Sequence, residues 1–531
     1  MTTENPYDVT PYPGNACTAS HPSHLAAIAA LFGLPFAPPA TGRTLEIGCA
    51  SGENLLPMAA AFPGARFTGL DFSQVQIDAA RRAQAELGLT NVEFICADIR
   101  SADAGKLGLF DYVIAHGIYS WLPPDAQTAM LALVRACLAE DGIAYISYNT
   151  LPGWRMRGII RDMMLFHGEL YPDQRAKVTQ AKLLLDFMAT HVPAENNPYG
   201  QYLRSELQMV SQVDENYLSH DHLEVNNEAL YFRDFMTRAN AADLDYLGEA
   251  DFATMAGTGI ALDAVQKLNS EIKDIVRLEQ YYDFMRNRTF RMTLLVRRGK
   301  PVQRQVSAAS LTRLHASSSL TPVGENDLGA DIPVKFQSVS GNILQTANPV
   351  TKAALQHLRG IFPRSAIFGD LLAASRQRLP QSHRDAVPEE QDGNTLGNDL
   401  LVAYALPGLL QLHGADLGAA RNGEAAGALL GAPAYARWQA GHSAIVTNVY
   451  HVPVQVNEAG LQVLMLLDGK RDRTALAAQF HQLVVDGKLT LTQEGAVAGP
   501  DAAAALEGPA LDAILEYLSQ WALLCRVPPQ V

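Results

Sequence analysis

The sequence has few cysteines, and its apolar runs are short. None of the five cysteines forms a Cys-x-x-Cys pair and their number is odd, so neither a zinc site nor a disulfide framework is expected. Reduced, mostly buried thiols in a cytoplasmic protein are the better expectation. The most apolar stretch, residues 400–412, is broken by Pro407 and is too short to span a bilayer.

Positive charge is also scarce. The 531 residues include 41 Lys and Arg against 55 Asp and Glu, which gives a net charge of −14 at pH 7. A generic nucleic-acid binder would usually present a basic face, so nucleic acid is not an expected partner. An acidic surface suits a lysine-rich protein substrate, although ordinary solubility is the better explanation of the charge. The first residues are neither basic nor apolar, so no signal peptide is visible and a cytoplasmic location is expected.

The length predicts about three domains. Residues 20–165 alternate strand and helix patterns, and the strands are apolar enough for a parallel sheet covered on both faces. From there to residue 247, including residues 243–247, apolar residues recur at intervals of three and four, which predicts helices. Strands are also predicted at 289–296 and 445–456. The predicted domains are an α/β ligand-binding domain (1–165), a helical domain (166–300), a linker (301–331) and two winged-helix-like units (332–415 and 416–531).

The most informative motif joins the first two predicted strands. Strand one runs into Glu46-x-Gly48-x-x-x-Gly52, and strand two ends at Asp71. The glycines permit a tight turn and a close approach to a ligand, and an acid after the second strand can accept ribose hydroxyls. A dinucleotide site would have Gly-x-Gly-x-x-Gly, but Ala50 replaces the middle glycine. The carboxylate of Glu46 suits a cationic ligand better than a pyrophosphate.

Together with the later strand ends, this turn resembles class I S-adenosylmethionine-dependent methyltransferases. Strand three ends at Asp98, strand four covers residues 110–114 and strand five follows Gly142. The chain also resembles a narrower group, bacterial methyltransferases with an appended methyltransferase regulatory domain, including lysine methyltransferases that modify outer-membrane proteins. The stretches that carry this likeness are Tyr12-Pro13 and residues 48–58, 116–123, 148–154, 217–224, 231–235 and 279–291. The implied fold class is α/β, a Rossmann-like class I methyltransferase sheet, followed by a mainly helical middle domain and a C-terminal α+β part.

The resemblance assigns a role to each strand end. It implies that Asp71 holds the ribose hydroxyls, that Phe72 and Ile99 flank the adenine, and that Asp98 accepts from the adenine amino group. The residues expected to bind S-adenosyl-L-methionine are Tyr12, Glu46, Gly48, Cys49, Ala50, Gly52, Asn54, Asp71, Phe72, Asp98, Ile99 and His116.

A lysine acceptor would add a demand, because its amine must lose a proton although its ordinary pKa is about 10.4. Burial among aromatic rings disfavours the ammonium form. His116, after strand four, is either the proton acceptor or a structural histidine, with equal weight. The expected catalytic residues are His116, Tyr119, Trp121, Tyr148, Asn149 and Trp154.

No metal is expected. His220, Asp221, His222 and Glu224 lack the His-Glu-x-x-His spacing, so a hydrogen-bonded hinge between domains is the better interpretation. The predicted function is therefore an S-adenosylmethionine-dependent methyltransferase that acts on lysine side chains of a protein, for example an outer-membrane or surface protein before export. A homodimer is a candidate assembly. The alternatives are a small-molecule or RNA methyltransferase, and a cofactor-binding regulatory protein without turnover.

Overall fold

A seven-stranded sheet forms the centre of the protein. The computed structural model describes residues 14–212, 218, 223–224, 226–325, 327–328, 332–422, 429–493, 496–497 and 500–526. The strand order is β3-β2-β1-β4-β5-β7-β6, in which β1 to β5 are parallel and β7 runs antiparallel to both of its neighbours. The strands are β1 (Arg43–Ile47), β2 (Arg66–Asp71), β3 (Val92–Cys96), β4 (Phe110–Ala115), β5 (Leu138–Asn149), β6 (Leu244–Glu249) and β7 (Phe290–Arg297).

Helices cover both faces of this sheet, as the apolar strands predict. Ser73 caps one of them by accepting from the Gln76 amide at 3.2 Å, and Gly88 ends the same helix with a φ of +66°. Both signals follow the sequence rules for helix ends. The helices up to β5 are α1 (Pro22–Leu31), α2 (Leu55–Ala61), α3 (Gln74–Leu87), α4 (Ala104–Leu107) and α5 (Pro124–Cys137).

The middle of the chain is helical, but it also returns to the sheet. Helices α6 (Trp154–Gly168), α7 (Gln174–His191) and α8 (Pro198–Ser211) share a small core of their own. The segment 232–297 then supplies β6 and β7, which confirms the strand predicted at 289–296. The helix predicted at 243–247 is wrong, because residues 244–247 lie in β6, where residues 244–246 pair with β7. A run this short has no resolvable period. The remaining helices of the segment are α9 (Phe232–Ala241), α10 (Phe252–Met255), α11 (Leu262–Glu271) and α12 (Ile275–Arg286).

Residues 301–331 are not the linker that their composition suggests. They contain a 3-10 turn and the strands β8 (His315–Ser317) and β9 (Thr321–Val323), and Leu311, Leu314 and Leu320 are buried. The following region adds two small antiparallel sheets and packs into the same core as α1 and one face of the large sheet. Its elements are β10 (Val334–Gln337), β11 (Ile343–Thr346), α13 (Pro349–Ile361), β12 (Ala366–Ile367), α14 (Phe368–Arg378), α15 (Gln381–Ala386), α16 (Glu389–Tyr404) and β13 (Gln411–His413).

The last part of the chain has a separate hydrophobic core. The strand predicted at 445–456 is a hairpin, since β14 and β15 pair antiparallel around a turn at 448–452. Among the described residues, no helix combines the length and apolar character needed to cross a membrane. The elements here are α17 (Ala434–Ala440), β14 (Ile445–Thr447), β15 (Pro453–Gln455), α18 (Glu458–Leu466), α19 (Arg473–Val485), β16 (Thr492–Gln493), β17 (Ala496–Val497) and α20 (Pro500–Gln520).

Candidate active site

A cavity of about 390 Å³ opens at the carboxyl ends of the parallel strands, the edge where open α/β sheets bind ligands. Gly52 does not line it. With a φ of +84°, Gly52 packs the turn onto Phe94, whose Cζ would lie 2.8 Å from an added Cβ. Tyr12 lies outside the described residues. The other ten residues predicted to bind the cofactor line the cavity, namely Glu46, Gly48, Cys49, Ala50, Asn54, Asp71, Phe72, Asp98, Ile99 and His116.

The turn after β1 is held against the end of β2. Gly48 has a φ of +75°, and a Cβ there would come within 2.5 Å of Ile118. Ala50 is also in the left-handed region, with a φ of +47°, and its amide donates to Asp71 Oδ2 at 2.9 Å. The Ser73 amide donates to Asp71 Oδ1 at 2.9 Å. The Asp71 carboxylate therefore has a fixed orientation at the cavity wall.

Two buried carboxyl groups give the cavity an acidic floor. Glu46 Oε1 accepts from the Asn54 amide at 2.8 Å, but Glu46 Oε2 is buried without a hydrogen-bond partner among the described residues. Glu53 likewise has one buried oxygen without a partner there. Burial raises the pKa of Glu46 to about 8 and that of Glu53 to about 7. Buried, incompletely satisfied carboxyls are costly, and a cationic ligand group would compensate both.

After the third strand, the cavity lining includes a residue that the sequence analysis did not predict there. Arg100 lines the cavity beside Asp98, and its Nη2 donates to Asp98 Oδ2 at 2.6 Å. This hydrogen bond lowers the pKa of Asp98. Phe72 is 56% exposed, so an apolar ring is available at the cavity to stack on a ligand. Sequence reasoning missed Arg100 because an arginine two positions after a strand-end acid has no distinctive spacing.

His116 follows the last residue of β4, and one of its ring nitrogens has three polar neighbours. His116 Nδ1 is 2.9 Å from Tyr145 Oη, 3.3 Å from Ser147 Oγ and 3.7 Å from Cys17 Sγ. Nε2 forms no hydrogen bond with any described residue, although His116 lines the cavity. The arrangement anchors the imidazole through Nδ1 and leaves Nε2 available to a ligand.

The thiol and the imidazole of this cluster influence each other. Burial alone would raise the pKa of Cys17, but the neighbouring His116 outweighs it and brings the value down to about 7. Burial alone would lower the pKa of His116, but Cys17 outweighs it and the net shift is upward. A thiolate–imidazolium pair is therefore accessible near neutral pH.

The predicted catalytic aromatic residues divide between two places. Trp121 lines the cavity with His116. Tyr119 and Tyr148 are fully buried on the opposite side of the sheet, where the ring of Tyr148 stacks on Phe235 at 4.0 Å. Along β5, alternate residues face opposite sides, so Ser147 faces His116 while Tyr148 does not.

Asn149 and Trp154 also lie away from the cavity lining. Asn149 is buried and its side-chain amide donates to Asn227 Oδ1 at 3.1 Å. Trp154 is buried at the start of α6, and the Arg157 guanidinium carbon lies 5.4 Å from the centre of its ring. Neither residue is among those that line the cavity.

The described residues contain no cluster of three or more His, Cys, Asp or Glu side chains that could hold a metal ion. Glu224 lines the cavity. His220, Asp221 and His222, for which the sequence predicts a hinge, lie outside the described residues.

Comparison with known families gives three matches along the chain. Residues 44–142 match a methyltransferase domain, residues 214–297 match a predicted methyltransferase regulatory domain, and residues 431–523 match a family described as the PKMT C-terminal winged-helix domain. An uncharacterized protein of Rickettsia prowazekii, RP789, is 32% identical over 502 residues, which cover 92% of this chain and 88% of that protein. A second one, RP028, is 37% identical over 233 residues, 44% of this chain and 93% of that protein.

A solved structure is similar over almost the whole length. PKMT2 from Rickettsia typhi, determined alone and in complex with AdoHcy, is 27% identical with a TM-score of 0.84, and the match covers 97% of this chain and 100% of that one. The fold and the strand-end cavity define a class I S-adenosylmethionine-dependent methyltransferase. The chain belongs to the family of bacterial methyltransferases that combine this catalytic domain with the regulatory domain and the PKMT winged-helix domain, and its cofactor is S-adenosylmethionine.

Proposed function

We propose that this methyltransferase modifies lysine side chains of a protein substrate. The observation that carries the proposal is the cavity itself, in which His116 Nε2 and Trp121 lie beside an acidic cofactor floor. An aromatic ring next to an unpartnered imidazole nitrogen suits a long cationic side chain that must lose a proton. The similarity to PKMT2 of Rickettsia typhi supports a protein acceptor.

The chain offers a group for each part of the cofactor. Glu46, whose second oxygen is buried without a partner in the described structure, would face a positive group. Asp71 would hold the ribose hydroxyls, and Phe72 and Ile99 would flank the adenine. Gly48 would let the backbone approach the ligand, and a Cβ at this position would also collide with Ile118. Gly48, Cys49, Ala50, Gly52 and Asn54 would form the turn and its support, with Asp98 at the adenine edge. When bound, the cofactor supplies an electrophilic methyl group on a sulfonium.

On the acceptor side, the neutral form of His116 would receive the lysine proton at Nε2, because the imidazolium form already carries a proton there. Nδ1 is anchored by Tyr145, Ser147 and Cys17, so the ring presents Nε2 without having to reorient. Trp121 would hold the aliphatic stem and the cationic head of the lysine before proton transfer. The remaining predicted catalytic residues would act as supports of strand β5 and its flanks, namely Tyr119, Tyr148, Asn149 and Trp154.

Labelled S-adenosylmethionine tests the acceptor. The protein is incubated with unfolded bacterial outer-membrane proteins, with the same proteins after complete lysine acetylation, and with total RNA and small-molecule extracts. Label on the unmodified proteins and none on the acetylated ones is expected. Label in the RNA or small-molecule fraction alone would contradict the proposal. Asp71→Ala, which removes the carboxylate that orients the turn, should abolish transfer and AdoHcy binding together.

We further propose that the protein acts in the cytoplasm, on outer-membrane or surface proteins before export, and that it forms a homodimer. The five cysteines are all free, which fits a reducing compartment. Helix α6 exposes Ile159 and Phe166, and Leu170 just after its end is exposed as well, which gives a surface that a second copy could cover. Cell fractionation tests the location. Light scattering tests the assembly, and a monomer at micromolar concentration would contradict it.

A further inference from the structure

The turn between β14 and β15 inserts from the winged-helix domain into the methyltransferase domain. Its conformation is fixed by Asn448, whose Oδ1 accepts from the amides of Tyr450 and Val452 at 2.9 and 3.0 Å. The Asn448 side-chain amide donates to the carbonyl of Trp521 at 2.9 Å, which ties the turn to its own domain. The turn therefore holds the intervening residue, His451, in a defined place.

His451 is buried and bonded to the methyltransferase domain through both its side chain and its backbone. His451 Nε2 lies 2.8 Å from Asn54 Oδ1. Because this amide oxygen can only accept, Nε2 carries the proton and donates. The carbonyl of His451 accepts from Thr18 Oγ1 at 2.8 Å. Burial lowers the pKa of His451 to about 3, so the ring is a neutral donor at physiological pH.

Asn54 connects His451 to the residues that line the cavity. Its Oδ1 also accepts from the Cys17 amide at 2.9 Å, and its Nδ2 donates to Ser20 Oγ at 3.0 Å and to Glu46 Oε1 at 2.8 Å. Both lone pairs and both protons of the amide are used. Rotating the amide by half a turn would point its oxygen at the Glu46 carboxyl and its protons at two donors. The donor from His451 opposes that rotation.

We propose that His451 is a positioning residue of the cofactor site, through which the winged-helix domain fixes Asn54 and, through Asn54, the Glu46 carboxyl and the segment that carries Cys17. The inference rests on the proposed role of Glu46 in cofactor binding. His451 does not line the cavity, so it acts through Asn54 and does not contact the ligand. The C-terminal domain is then a structural component of the cofactor site.

AdoHcy binding, measured by calorimetry on the full chain, tests this. His451→Ala removes the donor and leaves a buried amide oxygen with one partner fewer, so the Kd should rise about five- to tenfold. His451→Asn should do the same, because Asn tolerates the φ of +60° at this position but its shorter amide does not reach Asn54. His451→Gln places a donor at nearly the same distance and should restore the Kd to within about twofold of the unchanged protein.

Trp438→Phe is the matched control. Trp438 Nε1 donates to Glu86 Oε2 at 2.8 Å across the same domain interface, and neither residue lines the cavity. Loss of this hydrogen bond should leave the Kd for AdoHcy unchanged. Equal Kd values for His451→Asn and the unchanged protein would overturn the inference, as would an equal loss in Trp438→Phe. Absence of AdoHcy binding in the unchanged protein would instead overturn the proposed cofactor site. Thermal melting confirms that each variant is folded, and His451→Asn and His451→Gln decide the outcome if His451→Ala is not.

Discussion

Replacement of Glu46 by Gln separates what this residue costs in folding from what it contributes to binding. Its pKa is raised from an ordinary 4.5 to about 8 by burial, opposed by the Asn54 hydrogen bond. At pH 7 the folded protein therefore holds a proton that the unfolded chain has released. At about 1.4 kcal/mol per pKa unit, the difference of about 2.5 units between pH 7 and 4.5 costs about 3 kcal/mol of stability.

The sign of the pH dependence follows from the raised pKa. Stability due to this group is fully present below pH 4.5 and is lost as the pH rises through 8, where the cost levels off at about 5 kcal/mol. Gln cannot ionise, so Glu46→Gln should melt at the same temperature as the unchanged protein near pH 4.5 and at a higher temperature at pH 8.5. The measurement is thermal unfolding at both pH values without ligand.

Ligand binding should favour the charged form of Glu46, whereas folding favours the neutral form. AdoHcy lacks the sulfonium of the cofactor but keeps its ammonium, and an ammonium next to Glu46 favours the carboxylate, so binding at pH 7 should release about 0.9 of a proton from this residue. Calorimetry of AdoHcy binding in buffers of different ionisation enthalpy measures that release. The affinity of the unchanged protein should rise about tenfold per pH unit below pH 8. Glu46→Gln should bind more weakly and without this proton release.

Glu53→Gln is the control for this experiment, because Glu53 is a second buried carboxyl in the same cavity with a pKa of about 7. Its replacement should leave most of the proton release in place. Proton release that persists in Glu46→Gln, or melting temperatures of Glu46→Gln and the unchanged protein that stay equal from pH 4.5 to 8.5, would refute the reasoning. Release that disappears only in Glu53→Gln would assign the coupled proton to the other carboxyl.

Three further predictions concern neighbouring features. The thiolate absorbance of Cys17 at 240 nm, measured as the difference from Cys17→Ser, should titrate with a midpoint near 7. His116→Ala should move that midpoint above the ordinary range of a thiol, because the thiol stays buried while the imidazolium is gone. An unmoved midpoint would contradict the pairing of Cys17 with His116. Arg291→Met should destabilise the protein by about 3–5 kcal/mol in thermal or urea unfolding, because the buried Glu279 loses its cation while Glu249 and Asp283 keep only Arg288. Melting like the unchanged protein would count against that role. Gly48→Ala should weaken AdoHcy binding at least about tenfold. Gly88→Ala is the control, because Gly88 also has a positive φ but an added Cβ would lie in open space, and AdoHcy binding should be unchanged. Equal effects of the two substitutions would indicate that backbone strain alone weakens binding.

The sequence was sufficient to predict which strand-end residues meet at the cavity, because each of them belongs to a local pattern. Each strand and the turn or acid that follows it are contiguous, and parallel strands bring their carboxyl ends to one edge. Glu46, Asp71 and Asp98 therefore converge without any knowledge of the rest of the fold. A similar local argument could have been applied to β5, because successive residues of a strand face opposite sides of the sheet and Ser147 and Tyr148 therefore cannot both face the cavity.

The residues that the sequence did not reveal come from distant segments. Cys17 meets His116 across 99 positions, and His451 meets Asn54 across 397. Neither pair has a spacing that a local pattern could detect, since only the packed tertiary structure brings the segments together. Arg291 is another case, because an arginine in a strand predicts an exposed position, but here three acidic residues surround a fully buried guanidinium.

The catalytic domain cannot be separated from the segments that follow it. Strand β5 pairs along residues 144–149 with β7, and β7 pairs with β6, so residues 244–297 complete the sheet that carries His116, Tyr145 and Ser147. Truncation at residue 165 would leave the inner edge of β5 exposed. The match to the regulatory domain spans residues 214–297, so the segment named for regulation also supplies the edge of the sheet next to β5. His451 contributes from the other end of the chain, on the cofactor side. A change in either later segment can therefore alter the site by displacing side chains that never contact the substrate.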